Sequence, residues 1–121
     1  MPREGKAALP EDRERVQHML QAAKDAMFFA EGRSREDLDD DRMFARAVLH
    51  AIQEIGEAAA RVTTIGREQA PDVPWGSIVQ MRHILVHAYF NVNFEYVWRV
   101  IEHDLAPLIE QLEVALRNWP Q

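Results

Sequence analysis

Apolar residues recur at three- and four-residue steps along most of the chain, and this spacing constrains the fold more than any other feature. In the first such segment the apolar residues are Val16, Met19, Leu20, Ala23, Met27 and Ala30. In the second they are Phe44, Val48, Ala51, Ile52, Ile55, Ala59, Val62 and Ile65. This spacing puts the apolar residues on one face of an α-helix, and no stretch shows the sustained alternation of a β-strand. The sequence therefore predicts an all-α bundle of four to five helices with short antiparallel connections.

Proline, glycine and short polar residues mark where the first two helices begin and end. Pro10 suits the start of the first helix, and Gly32 suits its end. The acidic turn SREDLDDDR follows, and one of its aspartates, at 39, 40 or 41, is expected to cap the second helix. The apolar pattern predicts that this helix covers residues 42–66, with small residues at 56 and 58–60 where another helix could approach closely.

The second half of the chain predicts two more helices. Pro74 opens the third, which is expected to begin at Trp75 and to end at about residue 87 or 88. The fourth is expected to begin at Phe94, with Asn93 as its cap. Pro107 should kink or break the fourth helix, because proline lacks the backbone N–H that an α-helix uses.

The length and the residue types present narrow the class of protein. A chain of 121 residues predicts a single domain, here residues 11–121 after a flexible tail at residues 1–10. The absence of cysteine excludes a disulfide framework, thiolate metal sites and a thiol nucleophile, and fits a reducing compartment. No apolar run is long enough to span a bilayer, and the first residues lack the hydrophobic region of a signal peptide. We therefore expect a cytoplasmic protein with no membrane association.

The net charge of −6 argues against a protein that coats DNA or RNA. Phosphate contacts dominate the affinity of such proteins, so they are usually basic. A local basic pocket for RNA and an acidic face for a basic partner both remain compatible with this charge.

The segment RHILVHAY, residues 82–89, places polar groups on both sides of an apolar triplet. Histidine exchanges protons near neutral pH, and arginine binds phosphate oxygens through two parallel N–H groups. Arg82 and His87 could therefore cleave a phosphodiester without a metal, with histidine as the base and arginine stabilising the charge on the phosphoryl oxygens. Five residues along a helix correspond to a rotation of about 140°. The two side chains can serve one site only if the helix ends or distorts near His87, or if a second copy completes the site.

Other interpretations of these residues stay open at the level of spacing. Arg82 could bond a helix end and His87 could be an ordinary surface residue. His83 and His87 share a helix face as half of a zinc site would, but the HEXXH motif needs glutamate after its first histidine, and Ile84 stands there. We expect no metal site. Glu57 could pair with Arg82 across the bundle and orient it, or it could lie on a solvated helix face.

The segment PWGSIVQMRHILVHAYFNVNFEYVW resembles the signature of the HEPN superfamily, and in particular the HepT-like toxins of HepT–MntA toxin–antitoxin pairs. Three further stretches agree with this resemblance, which extends from about Glu14 to Leu116. They are ERVQHMLQAAKDAMFFAEGRSREDL, AIQEIGEAAARV and DLAPLIEQLE.

The resemblance implies a HEPN bundle that forms a homodimer, with the two motifs facing each other across a cleft. It implies a metal-independent endoribonuclease without a cofactor, in which Arg82 and His87 are catalytic and His83 assists. It also implies the toxin of a type VII-like pair, silenced when an MntA-like nucleotidyltransferase antitoxin adenylylates Tyr89. The alternative is a non-catalytic HEPN interaction protein that only binds a nucleotidyltransferase partner. A nucleotide-binding accessory subunit ranks last, because the chain has no glycine-rich phosphate loop.

Overall fold

The computed structural model describes residues 9–87 and 92–120, and for residues 84, 86 and 87 it describes the backbone alone. Every regular element in these ranges is helical, which confirms the all-α prediction. The α-helices are α1 (Pro10–Ala30), α2 (Asp37–Asp40), α3 (Arg42–Ala60), α4 (Thr64–Glu68), α5 (Trp75–His87), α6 (Phe94–Arg99) and α7 (Leu105–Arg117). A π-helical segment, Val100–Asp104, joins α6 to α7.

Four long units form the bundle: α1, α3, α5, and α6 continued through the π segment into α7. Helix α1 packs against α3 and α7, and α5 packs against α3. The apolar stripes meet in one core, which the side chains of Met19, Ile52, Ile55, Leu105 and Leu112 occupy with almost no solvent exposure. The four-to-five-helix bundle of the sequence prediction is therefore the observed architecture. The homodimer, the tail at residues 1–10 and the single-domain boundaries stay predictions.

Short polar side chains cap the helices where the sequence predicted them. The Asp41 carboxylate accepts a hydrogen bond from the Phe44 N–H at 3.1 Å and caps α3. The Asn93 side chain accepts one from the Tyr96 N–H at 3.2 Å and caps α6. Gly32, two residues after the end of α1, has a φ of +73°, a conformation that favours glycine.

The prediction that the second helix covers residues 42–66 is wrong at its end, because α3 stops at Ala60 and α4 begins at Thr64. The buried Asp12 carboxylate of α1 accepts hydrogen bonds from the Thr63 N–H at 2.9 Å and from the Thr63 hydroxyl at 2.6 Å. The same hydroxyl accepts one from the Gly66 N–H at 3.1 Å and caps α4. Holding Thr63 in this extended cap conformation interrupts the helix, although the apolar spacing continues through it.

The prediction that Pro107 kinks or breaks the fourth helix is wrong for a break, because α7 includes this residue. The irregularity lies just before it, where the Leu105 N–H donates to the Val100 carbonyl across the wider π turn. Pro107 has no N–H to offer the carbonyl four residues earlier, so a departure from α geometry at this place lets the chain stay helical. No helix within residues 9–87 and 92–120 is both long and apolar enough to cross a membrane.

Candidate active site

Helix α5 carries the RHILVHAY motif and begins at Trp75, as the sequence predicted. The Trp75 indole N–H donates to the Ala70 carbonyl at 2.9 Å, which fixes the start of the helix to the preceding turn. Ile78, Met81 and Leu85 are buried at three- and four-residue steps and attach one face of α5 to the core. Arg82 and His83 lie between Met81 and Leu85, so the core fixes the turn of the helix that carries them.

Gly56 of α3 lies against the stem of Arg82. A Cβ atom built on Gly56 would lie 3.1 Å from the Arg82 Cγ and 3.2 Å from its Cα, closer than real side chains normally pack. The small residue predicted to admit a neighbouring helix therefore does so here. Arg82 is half-buried, and its Nε is buried without a hydrogen-bond partner among the described groups. The Nε atoms of Arg15 and Arg67 are buried without a partner in the same way, so the feature that distinguishes Arg82 is its tight packing against Gly56.

The structure does not bring Glu57 to Arg82. Glu57 is exposed, and no ion pair joins these two side chains in the described part of the chain. It lines instead a small groove of about 280 Å³ between α1 and α3, together with Arg15, His18 and Arg61. One step along a helix rotates a side chain by about 100°. Gly56 faces α5, so this rotation turns Glu57 towards the α1 side.

His83 and His87 belong to the second half of α5. His83 is exposed. His87 is the last described residue of the helix, and only its backbone is described. Its side chain and the whole of Tyr89 lie outside the described part of the chain. Residues 75–87 are α-helical throughout, so positions 82 and 87 of the backbone are separated by about 140° around the helix axis. A site that uses both therefore needs a change of direction at His87 or a second chain.

A groove of about 890 Å³ runs beside this end of α5, and we call it the α3–α5 groove. Arg42, Arg46 and His50 of α3 line it together with Leu85, the buried residue between Arg82 and His87. These three basic residues were not predicted to belong to a site. The signal was their recurrence at four-residue steps, which places them on one helix face.

A second groove, of about 560 Å³, separates α5 from the π segment and α7. Its floor is apolar, with Ile55 and Met81, and its lining includes Tyr96 and Asp104. Partial burial raises the pKa of the Tyr96 hydroxyl, and the Asp104 carboxylate raises it further, so this tyrosine keeps its proton at neutral pH. Among the side chains that the structure describes, no three of His, Asp or Glu converge as a metal site requires.

Comparison with known proteins gives consistent matches. The family model described as "Ribonuclease HepT-like" matches residues 19–115. A protein of Caldanaerobacter subterraneus subsp. tengcongensis named "Putative RNase" is 32% identical over 103 residues, which cover 85% of this chain and 92% of that protein. A "Putative RNase" of Methanocaldococcus jannaschii is 29% identical over 96 residues, covering 79% and 88%. A "Probable ribonuclease HepT" of Thermococcus cleftensis is 32% identical over 78 residues, covering 64% and 71%. No solved structure matches the chain.

Proposed function

Since the chain belongs to the ribonuclease HepT-like family, we propose that it is a metal-independent endoribonuclease whose catalytic residues are Arg82 and His87. The observation that carries the proposal is the arrangement at Gly56. The stem of Arg82 is held against α3 while its buried Nε lacks a partner in the described part of the chain. An arginine positioned in this way can bind the phosphoryl oxygens of a substrate through two parallel N–H groups.

The chemistry needs one base and one fixed cation. His87 takes the proton of a ribose 2′-hydroxyl, and the 2′-oxygen attacks the adjacent phosphorus. Arg82 stabilises the negative charge that builds on the phosphoryl oxygens. The bond from phosphorus to the 5′-oxygen breaks, that oxygen takes up a proton, and the products end in a 2′,3′-cyclic phosphate and a 5′-hydroxyl. His83 supports the site from the same end of α5. Glu57 lies on the α1 side of α3, away from Arg82, and has no role in this step.

The site is completed by a second copy of the chain. In a two-fold dimer the same segment of both copies meets at the axis, so Arg82 of one copy and His87 of the other can face one RNA strand. This arrangement meets the requirement set by the angle of about 140° between the two positions around one helix.

The direct test is RNA cleavage by the purified protein in the presence and absence of EDTA. We expect cleavage to survive chelation, and Arg82→Ala and His87→Ala each to lower the rate by at least ~10²-fold. Arg117→Ala and His18→Ala remove the same residue types from exposed positions on α7 and α1 and should cleave like the parent. Mass spectrometry of the products should find the cyclic phosphate.

Two results would refute the ribonuclease. Equal cleavage by the parent, Arg82→Ala and His87→Ala would assign the activity to a contaminant. A folded parent that binds a nucleotidyltransferase and cleaves no RNA would favour the non-catalytic interaction protein.

The proposal includes a cytoplasmic toxin–antitoxin pair. An MntA-like nucleotidyltransferase antitoxin would transfer AMP from ATP to the Tyr89 hydroxyl and release pyrophosphate. The adduct adds bulk and negative charge beside the motif, where the RNA phosphate must bind, and so blocks cleavage. The chain has two tyrosines, Tyr89 and Tyr96, which supply a matched pair of variants. After co-expression with the antitoxin, Tyr89→Phe should lack the AMP adduct and Tyr96→Phe should carry it. Adenylylation of both variants or of neither would exclude Tyr89 as the acceptor.

A further inference from the structure

We propose that Arg42, Arg46 and His50 on α3 form a phosphate-binding track that guides the RNA strand to the motif on α5. This inference rests on the proposed ribonuclease function and adds residues that the Arg82–His87 chemistry does not use. The three side chains are exposed and line the α3–α5 groove at four-residue steps. Such residues lie on one helix face with their Cβ atoms about 5–6 Å apart, a spacing comparable to that of adjacent phosphates in an extended strand.

The phosphate-binding track leads to the end of α5 that carries His87, because α3 and α5 run in opposite directions. Gly56, near the end of α3, lies against Arg82. Three residues later on α5, Leu85 shares the groove with Leu49 and Gln53, which precede Gly56 on α3. Advancing along α5 towards His87 therefore means moving back along α3 towards Arg46 and Arg42. An RNA strand lying on the basic residues would enter the site from the end of α5 that carries His87.

The positive charge of Arg42 and Arg46 is not compensated within the described residues. The carboxylate of Asp39 also lines the groove, but Arg35 binds it at 2.8 Å, and Arg33 pairs with Asp41. Arg42 and Arg46 form no ion pair with any residue in 9–87 or 92–120. The chain as a whole is acidic, with a net charge of −6. These two arginines therefore give the groove a local positive charge, opposite in sign to the net charge of the protein.

The observations favour RNA over an acidic protein segment as the occupant. Arginine presents two parallel N–H groups that match phosphate geometry, and a sequence-independent track requires only the repeating backbone. The groove also borders the segment from Arg82 to His87, where the scissile phosphate must bind. His50 lies 3.5 Å from the Glu54 carboxylate, so its contribution to RNA binding is expected to be smaller than that of the arginines.

The test measures binding separately from cleavage. The probe is a fluorescent single-stranded RNA with 2′-O-methyl groups, which cannot be cut by 2′-hydroxyl attack. The double variant Arg42→Ala/Arg46→Ala should weaken binding at least tenfold. It should also lower the slope of log Kd against log salt concentration by about 1.4, because each phosphate contact to a single strand contributes about 0.7. The matched double variant Arg13→Ala/Arg117→Ala makes the same change in net charge outside the groove and should bind like the parent.

Single-turnover cleavage of unmodified RNA gives a second readout. The groove variant should need a higher protein concentration for half-maximal rate and should keep a saturating rate close to the parent's. Arg82→Ala should instead lose the saturating rate. This difference separates a residue that positions RNA from one that touches the reacting atoms.

Several outcomes would overturn the track. Unchanged affinity in the groove variant would do so, as would an equal loss in both double variants or failure of the parent to bind the probe. Equal competition by a poly-glutamate peptide and an RNA of the same length would identify an acidic protein segment as the occupant. A parent that binds the probe through Arg42 and Arg46 yet cleaves no RNA would refute the proposed nuclease and leave the track standing.

Discussion

Gly56 and Arg82 are in such close contact that a methyl group on Gly56 would occupy space held by the Arg82 stem, 3.2 Å from its Cα. Replacing Gly56 with alanine should therefore push α5 away from α3 at the residue proposed to bind the phosphoryl group. Overpacking of this kind typically costs ~1–3 kcal/mol. We expect a loss of that size in urea unfolding, and a fall in cleavage rate at temperatures where the variant is still folded.

Gly76 supplies the control for this substitution. It lies in the first turn of α5, and a Cβ atom there would meet nothing within 4 Å. Gly76→Ala should leave cleavage unchanged and raise stability by up to ~0.5–1 kcal/mol, because alanine favours the helix more than glycine does. Equal stability and activity of Gly56→Ala and Gly76→Ala would show that the contact between α3 and α5 is not tight.

Asp12→Ala should be one of the most destabilising single substitutions in the described chain. The Asp12 side chain is 1% exposed and accepts hydrogen bonds from the Leu9 N–H, the Thr63 N–H and the Thr63 hydroxyl. Each buried donor left without an acceptor costs ~1–3 kcal/mol, so a loss of at least ~2 kcal/mol is expected in chemical denaturation. Asp25→Ala, which removes an exposed hydrogen bond from Gln21, should change stability by less than ~0.5 kcal/mol. Similar effects of the two variants would contradict a clamp at Asp12.

The cap of α3 should respond to acid through Asp41. The hydrogen bond from Arg33 holds the pKa of this carboxyl below its ordinary value, and the Phe44 N–H lowers it further. A lowered pKa means that the carboxylate stabilises the folded chain fully above the ordinary aspartate pKa of about 3.9, and that this contribution is lost as the pH falls through the lower folded value. Asp41→Asn keeps a capping side chain but no charge.

The parent should therefore be more stable than Asp41→Asn at neutral pH, and the difference should close as the pH falls below about 4. Urea unfolding across this range measures it. Asp72→Asn removes a carboxylate from an exposed turn and should stay close to the parent at neutral pH. A gap between the parent and Asp41→Asn that widens on acidification would contradict the assignment.

The shared cleft requires a dimer. We expect sedimentation of the protein at micromolar concentration to find one. We expect part of the contact to involve the aromatic residues around Trp98, which is half-buried at the surface of α6. Because tryptophan is often a dominant residue at interfaces, Trp98→Ala should shift the population towards monomer and lower cleavage with it. Phe28, which is 72% exposed on α1, tests a different aromatic surface, and Phe28→Ala should stay dimeric. A parent that sediments only as monomer would remove the shared-cleft mechanism.

Local features of the sequence predicted the helices well, because the interactions that start and cap them are local. Trp75 and Phe94 begin helices, as predicted. The capping side chains of Asp41 and Asn93 lie three residues before the N–H groups that they bind. The end of α3 could not be predicted in this way. The carboxylate that interrupts it belongs to Asp12, 51 residues before the Thr63 that it holds.

Those features of the candidate site that depend on the size and type of a residue could be predicted from the sequence. Those that depend on which neighbouring side chain a residue contacts could not. Small residues on α3 predicted a close helix contact, and Gly56 provides it. The same stretch did not reveal that Glu57 turns towards the α1 side of the bundle. The basic face at Arg42 and Arg46 could not be predicted from the negative net charge of the chain. It depends on the ion pairs of Arg33 and Arg35 with the neighbouring aspartates, which form only in the folded chain.

Helix α5 packs mainly against α3 and, within the described residues, approaches no other helix to a comparable extent. Opening α5 therefore breaks one interface, whereas opening α1 breaks its contacts with both α3 and α7. Amide protons in α5 should exchange with solvent through a smaller opening free energy than those in α1. The helix that carries the motif would then be the part of the chain whose native-state protection rises most when a second subunit associates.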